Sequence, residues 1–213
     1  RCMPQIQRVH LVRHAETMGA DTTYVGDPTL THRGERQSTL TADHLHDVGV
    51  SSVYVSPLLR AKQTAAPLIT RLGAPPKTLP LMAEIDLGDF PGPEASGRKR
   101  PLIDFGDWGG DYGADFSESV IRGFGDFISE VQPLEHEDIA LISHGGTINV
   151  ILDHVQGIPW DGQMRNLLAN CSVSTIEISP GSVSLSDINF VRHLPYELIT
   201  PENERPLKQP PSR

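Results

Sequence analysis

The amino-acid sequence predicts a three-layer, doubly wound α/β fold, in which a mainly parallel sheet carries helices on both faces. Short β-branched segments alternate along the chain with segments whose apolar residues have helical spacing. The fully apolar segment 139–142 (IALI) is typical of a strand buried inside a parallel sheet. A length of 213 residues suits one domain with a full-sized core.

The first half of the chain contains two predicted strands and two predicted helices. The strands cover residues 8–13 (RVHLVR) and 52–55 (SVYV), which are short β-branched runs. Between them, residues 34–48 place apolar side chains at the spacing of an amphipathic helix. A serine-proline pair then starts a helix that should extend over about residues 58–72 and end at Gly73.

The second half of the chain continues the alternation of strands and helices. Helical spacing returns over residues 117–131, and residues 145–155 form another predicted helix directly after the buried strand. Residues 173–178 and 183–190 are predicted to pair as late strands across a Pro-Gly turn. The order of these elements favours the α/β class over an all-helical or all-strand fold.

The domain organisation predicted from composition is a single domain over residues 1–195. A Gly- and Pro-rich segment at about residues 88–115 interrupts it as an irregular insertion over one end of the domain. Such a segment either serves as a lid or binding loop or is disordered. Residues 196–213 are rich in Pro and charged side chains and are predicted to form a flexible tail.

The charge balance restricts the classes of partner. The chain has 18 Lys and Arg residues against 27 Asp and Glu residues, a formal net charge of −9. This balance argues against nucleic-acid binding and against attraction to an anionic membrane, although a locally positive pocket still accepts a small anion. The two cysteines, Cys2 and Cys171, form neither a disulfide framework nor a metal-ligand set, so a cytoplasmic location is expected.

Polar residues follow three of the predicted strands at the points where those strands end. The segments are residues 13–17 (RHAET), 56–60 (SPLLR) and 143–146 (SHGG), and together they contain two histidines and two arginines. In an open α/β sheet, ligands bind at the carboxyl ends of the strands. Arginines grip phosphoryl oxygens, and an unprotonated histidine is a phosphoryl nucleophile, so this set predicts phosphate chemistry without a metal ion.

The chain resembles a known family at several ordered motifs. The segment VRHAET at residues 12–17 resembles the signature of the histidine phosphatase superfamily, the phosphoglycerate mutase-like group. Further blocks follow in the order of the family, and a set of this size is far more specific than any one motif. They are LTHRGERQS at 30–38, SPLLRAKQTA at 56–65, EIDLGDFPG at 84–92, FSES at 116–119, SHGGTI at 143–148 and NCSVSTIEI at 170–178.

The resemblance implies a role for each residue that matches the motifs of the family. His14 would be the nucleophile that becomes phosphohistidine, with His144 as a second catalytic histidine that is cationic in the complex. Glu84 would donate a proton to the leaving group and then activate water. The phosphate-binding residues implied in this way are Arg13, Arg60, His144 and Gly145. No cofactor and no metal ion are expected.

The chain departs from the pattern of the family at three places, and the departures at Ala20 and after Glu84 favour its phosphatase branch. Ala15 replaces the usual Gly after the catalytic histidine, which is a small change. Ala20 stands where many mutase-like members have an Asn that contacts phosphate. The segment after Glu84 lacks the Tyr- and Arg-rich stretch with which mutases hold a bisphosphate cofactor.

The function predicted from the sequence is that of a metal-independent phosphomonoesterase acting on a small phosphorylated substrate. Two alternatives stay open. One is a cofactor-dependent phosphoglycerate mutase, in which the phosphohistidine returns its group to a second hydroxyl. The other is a redeployed member that binds or acts on a non-phosphorylated metabolite. A homodimer is left open as the assembly.

Overall fold

The computed structural model describes residues 6–18, 27–84, 111–134 and 137–200. Within these ranges the chain alternates strands and helices, as the sequence predicts. The strands are β1 (Gln7–Arg13), β2 (Val50–Val55), β3 (Lys77–Thr78), β4 (Asp138–Ser143), β5 (Val173–Ser179) and β6 (Ser182–Phe190). The helices are α1 (His32–Asp47), α2 (Leu59–Leu72), α3 (Asp111–Val131) and α4 (Gly145–Val155).

The six strands form one sheet in the order β3-β2-β4-β1-β5-β6. The first four strands of this order are parallel, whereas β5 is antiparallel to β1 and β6 is antiparallel to β5. The last two strands form a hairpin whose turn includes Gly181, at a φ of 76° that favours glycine. The predicted α/β class with a mainly parallel sheet is confirmed.

Two apolar clusters lie on opposite faces of the sheet. Alternate residues of the central strands point to each side: Leu11 and Leu141 belong to one cluster, and Val12 and Ile142 to the other. The first cluster contains residues of α3 and α4, and the second contains residues of α1 and α2. Helices therefore cover both faces, which confirms the predicted three-layer arrangement.

The ends of the helices have local causes in the sequence. The hydroxyl of Thr31 accepts a hydrogen bond from Gly34 N at 2.9 Å and caps α1. Helix α2 ends at Gly73, which takes a left-handed conformation with a φ of 64°, as expected for a glycine cap. Among the described residues, no helix is both long enough and apolar enough to cross a bilayer.

Two predicted boundaries differ from the structure. Helix α3 begins at Asp111, inside the predicted insertion 88–115, and residues 85–110 lie outside the described residues. The tail predicted from residue 196 is wrong for its first residues, because residues 196–198 form a 3-10 turn and Leu198, Ile199 and Thr200 are buried. Apolar contacts with Ala15 and Cys171 hold Ile199 against the domain. Residues 201–213 lie outside the described residues.

Candidate active site

Two histidines meet at one edge of the sheet, where neighbouring parallel strands end. Arg13 at the end of β1 is in register with Ser143 at the end of β4. His14 follows the first and His144 the second, and their ring centroids are 5.4 Å apart. The backbone N–H of His14 donates to the carbonyl of Ser143 at 2.9 Å, which fixes the two strand ends together. The sheet therefore brings the two predicted catalytic histidines into contact.

The imidazole of His14 has a defined hydrogen-bond partner. Its Nδ1 lies 2.8 Å from the carbonyl oxygen of Ala15. A carbonyl oxygen only accepts, so Nδ1 carries the hydrogen and Nε2 carries the lone pair. Burial, followed by the charges of Arg13 and Arg60, holds the pKa of His14 well below its usual range. Near neutral pH this ring is therefore unprotonated at Nε2.

His144 is fully buried and is held by a hydroxyl group. Its Nε2 lies 2.6 Å from Oγ of Ser56, the residue that follows β2. Burial is again the main reason that the pKa of His144 lies well below its usual range, with smaller contributions from His14, Arg60 and Arg13. The Nδ1 atom of His144 is buried and has no hydrogen-bond partner among the described residues.

The two predicted phosphate-binding arginines lie close enough to lower the pKa of both histidines. Nη1 of Arg13 donates to the carbonyl of Leu168, and Nη1 of Arg60 lies 3.1 Å from Oδ1 of Asp27. The Nε–H groups of both arginines are buried and, within the described ranges, donate to no acceptor. Buried donors in proteins are nearly always satisfied, so two such donors beside a buried histidine indicate an anion site.

Glu84 lies at the amino terminus of α4, the helix that begins directly after His144. Its Oε2 accepts a hydrogen bond from Gly146 N at 2.9 Å, and the hydroxyl of Thr147 is 3.5 Å from Oε1. A Cβ atom at position 146 would lie 2.6 Å from Oε1, so only glycine lets the carboxylate approach this closely. A Cβ at Gly145 would lie 3.5 Å from Nε of Arg13, so the start of α4 also faces an arginine.

All the site residues predicted from the sequence therefore lie at the start of α4 or around the two histidines. Within the described ranges, no group of three or more His, Cys, Asp or Glu side chains could hold a metal ion.

Comparison with known proteins identifies the family. A family profile described as "Histidine phosphatase superfamily (branch 1)" matches residues 9–191. The chain belongs to the histidine phosphatase superfamily. The match covers β2 to β6 and residues 9–13 of β1, and it includes His14, Arg60, Glu84 and His144.

Several known proteins are similar to this chain at low identity. A protein from Erwinia tasmaniensis named "Probable phosphoglycerate mutase GpmB" is 26% identical over 181 residues, which cover 80% of this chain and 84% of that protein. Bacillus stearothermophilus YhfR superposes with a TM-score of 0.74 at 20% identity, covering 88% of this chain and 98% of YhfR. A phosphoserine phosphatase from Entamoeba histolytica gives a TM-score of 0.71 at 21% identity, covering 88% and 99%. The two structures confirm the predicted phosphoglycerate mutase-like fold.

The departure at Ala15 is accommodated by its surroundings. Its side chain is fully buried and packs with Ala169 and Cys171, while its backbone N–H donates to Oγ1 of Thr64 at 2.9 Å. The departure at Ala20 and the segment after Glu84 lie outside the described residues.

Two contacts in the site were not predicted from the sequence. The sequence places Ser56 between a strand end and a helix start, but its hydrogen bond to His144 depends on how β2 and β4 pair. Asp27 receives hydrogen bonds from the backbone N–H groups of Leu59 and Arg60 as well as from the Arg60 side chain. Leu58, the residue before α2, offers no capping side chain, so Asp27 caps α2 from another part of the chain.

Proposed function

We propose that this chain is a metal-independent phosphomonoesterase that hydrolyses a small phosphorylated substrate through a phosphohistidine on His14. The observation that carries the proposal is the state of the His14 ring. It is buried and neutral, and Nδ1 is committed to Ala15, so Nε2 keeps the lone pair that a nucleophile needs.

The first step transfers the phosphoryl group to the enzyme. Nε2 of His14 attacks phosphorus, and the ester P–O bond breaks. Negative charge on the non-bridging oxygens is stabilised by donors from Arg13, Arg60, His144 and the start of α4 at Gly145. The leaving alkoxide takes a proton from Glu84.

The second step returns His14 to its starting state. The Glu84 carboxylate accepts a proton from water while the water oxygen attacks phosphorus. The P–N bond then breaks, which releases inorganic phosphate and neutral His14. The hydrogen bond from Gly146 N to Glu84 supports this role, because it holds the carboxylate at the start of α4, the helix that follows His144.

A mutase is the second candidate, because curated relatives carry the name probable phosphoglycerate mutase. The departure after Glu84 supports the phosphatase instead, since the residues with which mutases hold a bisphosphate are missing from the sequence. Redeployment for a non-phosphorylated metabolite is less well supported, because the chain keeps every residue that the phosphohistidine mechanism uses, including Glu84, which a binding module has no chemical reason to retain.

Hydrolysis of p-nitrophenyl phosphate in the presence of a chelator tests the phosphatase proposal. We expect turnover that EDTA does not reduce, and a loss of about 10³-fold or more in His14→Ala. His32→Ala is the matched control, because the His32 ring is exposed and contacts Glu35 at 3.1 Å, away from the site. Full activity in His14→Ala would contradict the proposal.

A second assay separates hydrolysis from group transfer. The protein is incubated with 3-phosphoglycerate, with and without 2,3-bisphosphoglycerate, and the products are resolved. Release of inorganic phosphate from phosphate esters without formation of 2-phosphoglycerate supports the phosphatase. Rapid formation of 2-phosphoglycerate that depends on the bisphosphate would contradict the phosphatase proposal and support the mutase.

A further inference from the structure

A chain of hydrogen bonds connects the loop that carries His14 to Thr200, nine residues beyond the end of the family match. The backbone N–H of Glu16 donates to Oε1 of Gln37 at 2.8 Å, and Nε2 of Gln37 donates to Oγ1 of Thr200 at 2.8 Å. The Thr200 hydroxyl then donates to Oδ1 of Asn170 at 3.2 Å. Finally, Nδ2 of Asn170 donates to the carbonyl of His14 at 3.0 Å.

We call this chain of four hydrogen bonds the relay. Each of its bonds donates in the same direction, from Glu16 towards His14. The Glu16 amide can only donate and the His14 carbonyl can only accept, so the two ends fix the orientation of both side-chain amides. The Thr200 hydroxyl is the link that both accepts and donates. Gln37, Asn170 and Thr200 are each at least nine-tenths buried, and aligned bonds in such surroundings reinforce one another.

The relay ends on the two peptide groups that flank Ala15. The second of these peptides contains the Ala15 carbonyl, which accepts the hydrogen bond from Nδ1 of His14, and the Glu16 N–H, which Gln37 holds. The first contains the His14 carbonyl, which Asn170 holds. If either peptide rotates, the acceptor that keeps hydrogen on Nδ1 moves away from the ring.

We propose that Thr200 is a positioning residue for His14: its hydroxyl joins Gln37 to Asn170 and thereby keeps the lone pair of the nucleophile on Nε2. This inference rests on the proposed function for its effect on turnover. The backbone of Thr200 contributes separately, because its carbonyl accepts from Asn170 N at 2.8 Å whatever the side chain is.

The test compares Thr200→Val, which removes the hydroxyl at nearly constant shape, with Thr200→Ser, which keeps it. We expect kcat for p-nitrophenyl phosphate to fall about 10-fold in Thr200→Val with KM changed less than about 2-fold, and Thr200→Ser to stay near wild type. Thr70→Val is the matched control, since the Thr70 hydroxyl bonds to Ala66 on an exposed helix face. Equal losses in Thr200→Val and Thr200→Ser, or none in either, would overturn the inference.

A second measurement reads the ring of His14 without any turnover. ¹⁵N spectra of the full chain with labelled histidine, assigned by comparison with His14→Asn, report which ring nitrogen carries the hydrogen. We expect the Nδ1–H form in wild type and a growing share of the Nε2–H form in Thr200→Val. An unchanged tautomer in a folded Thr200→Val protein contradicts the inference. If Thr200→Val does not fold, the wild-type spectrum alone tests the inference, and an Nε2–H tautomer of His14 there contradicts it.

The two measurements keep the inference separate from the proposed function. Absence of phosphatase activity in the wild-type protein would contradict the proposed function. In that protein the tautomer and its response to Thr200→Val still decide whether the relay holds the ring.

Discussion

His14 and His144 follow neighbouring parallel strands, and both are buried with a lowered pKa, yet their hydrogen-bond partners differ. His14 bonds to the backbone carbonyl of Ala15, a group that only accepts. His144 bonds to the hydroxyl of Ser56, a group that both accepts and donates. The neutral His14 ring therefore has one tautomer, with hydrogen on Nδ1. The His144 ring keeps its hydrogen bond to Ser56 whether its Nε2 accepts or donates.

This difference explains how two similar positions can serve different steps. A nucleophile needs an unprotonated nitrogen that faces the substrate at all times, which a fixed carbonyl acceptor provides. A residue that stabilises a phosphoryl group benefits from gaining a positive charge when the anion arrives. With Nε2–H donating to Ser56, a cationic His144 would direct Nδ1–H to the anion.

Replacing each histidine with asparagine should give the largest difference between the effects of the two residues. We expect His14→Asn to form no phosphoenzyme. His144→Asn should still form it, with kcat/KM lowered about 10²- to 10³-fold by the loss of one charged donor. Acid quenching on the millisecond scale with a radiolabelled phosphate ester measures the covalent species. If His144→Asn fails to phosphorylate while His14→Asn succeeds, the two assignments are reversed.

Proton uptake on anion binding sharpens the comparison further. The lowered pKa keeps His144 neutral in the free protein near pH 8, and a bound phosphate dianion would raise that pKa. We therefore expect uptake of up to about one proton per inorganic phosphate bound, and affinity that increases as the pH falls. Calorimetry in buffers of different ionisation enthalpy measures this number.

The same titration contains its own controls. His144→Asn should lose the proton uptake, because the group that gains the proton is gone. His14→Asn should retain it. Binding without proton uptake in wild type would show that both rings stay neutral in the complex.

Ser56→Ala should have the smallest effect, and it should fall on one histidine alone. Loss of the hydroxyl leaves Nε2 of His144 without its acceptor, which lowers the pKa of His144 further and weakens phosphate binding by about 5-fold. The tautomer of His14 should not change. Ser129→Ala is the control, since Ser129 bonds to Gly125 on an exposed face of α3. A His14 tautomer that changes in Ser56→Ala would mean that the two rings are coupled.

Helical spacing predicted α1, α2 and α3 because each of these helices buries one face. Uninterrupted apolar residues predicted β4, which is buried on both faces of the sheet, and α4 is buried almost throughout. The two-residue strand β3 was not predicted, because Lys77 and Thr78 are exposed and carry no apolar pattern. The position of β4 between β1 and β2 also depends on packing between distant segments.

The candidate site was predictable where a polar residue interrupts the end of an apolar strand. That rule located His14 and His144, and the resemblance to the family added Glu84, whose place at the start of α4 no local pattern indicates. Composition predicts a tail at Thr200, because its neighbours are rich in Pro and charged side chains. Its bonds to Gln37 and Asn170 join residues that are far apart in the sequence, so composition could not reveal them.

The burial of Leu198, Ile199 and Thr200 has a consequence for protein engineering. The last strand ends at Phe190 and the family match ends at residue 191, so either point looks like a natural place to end a shortened chain. Such a chain keeps all six strands and both histidines, but it lacks the hydroxyl that joins Gln37 to Asn170. Fusions, tags and permuted termini therefore belong after Thr200.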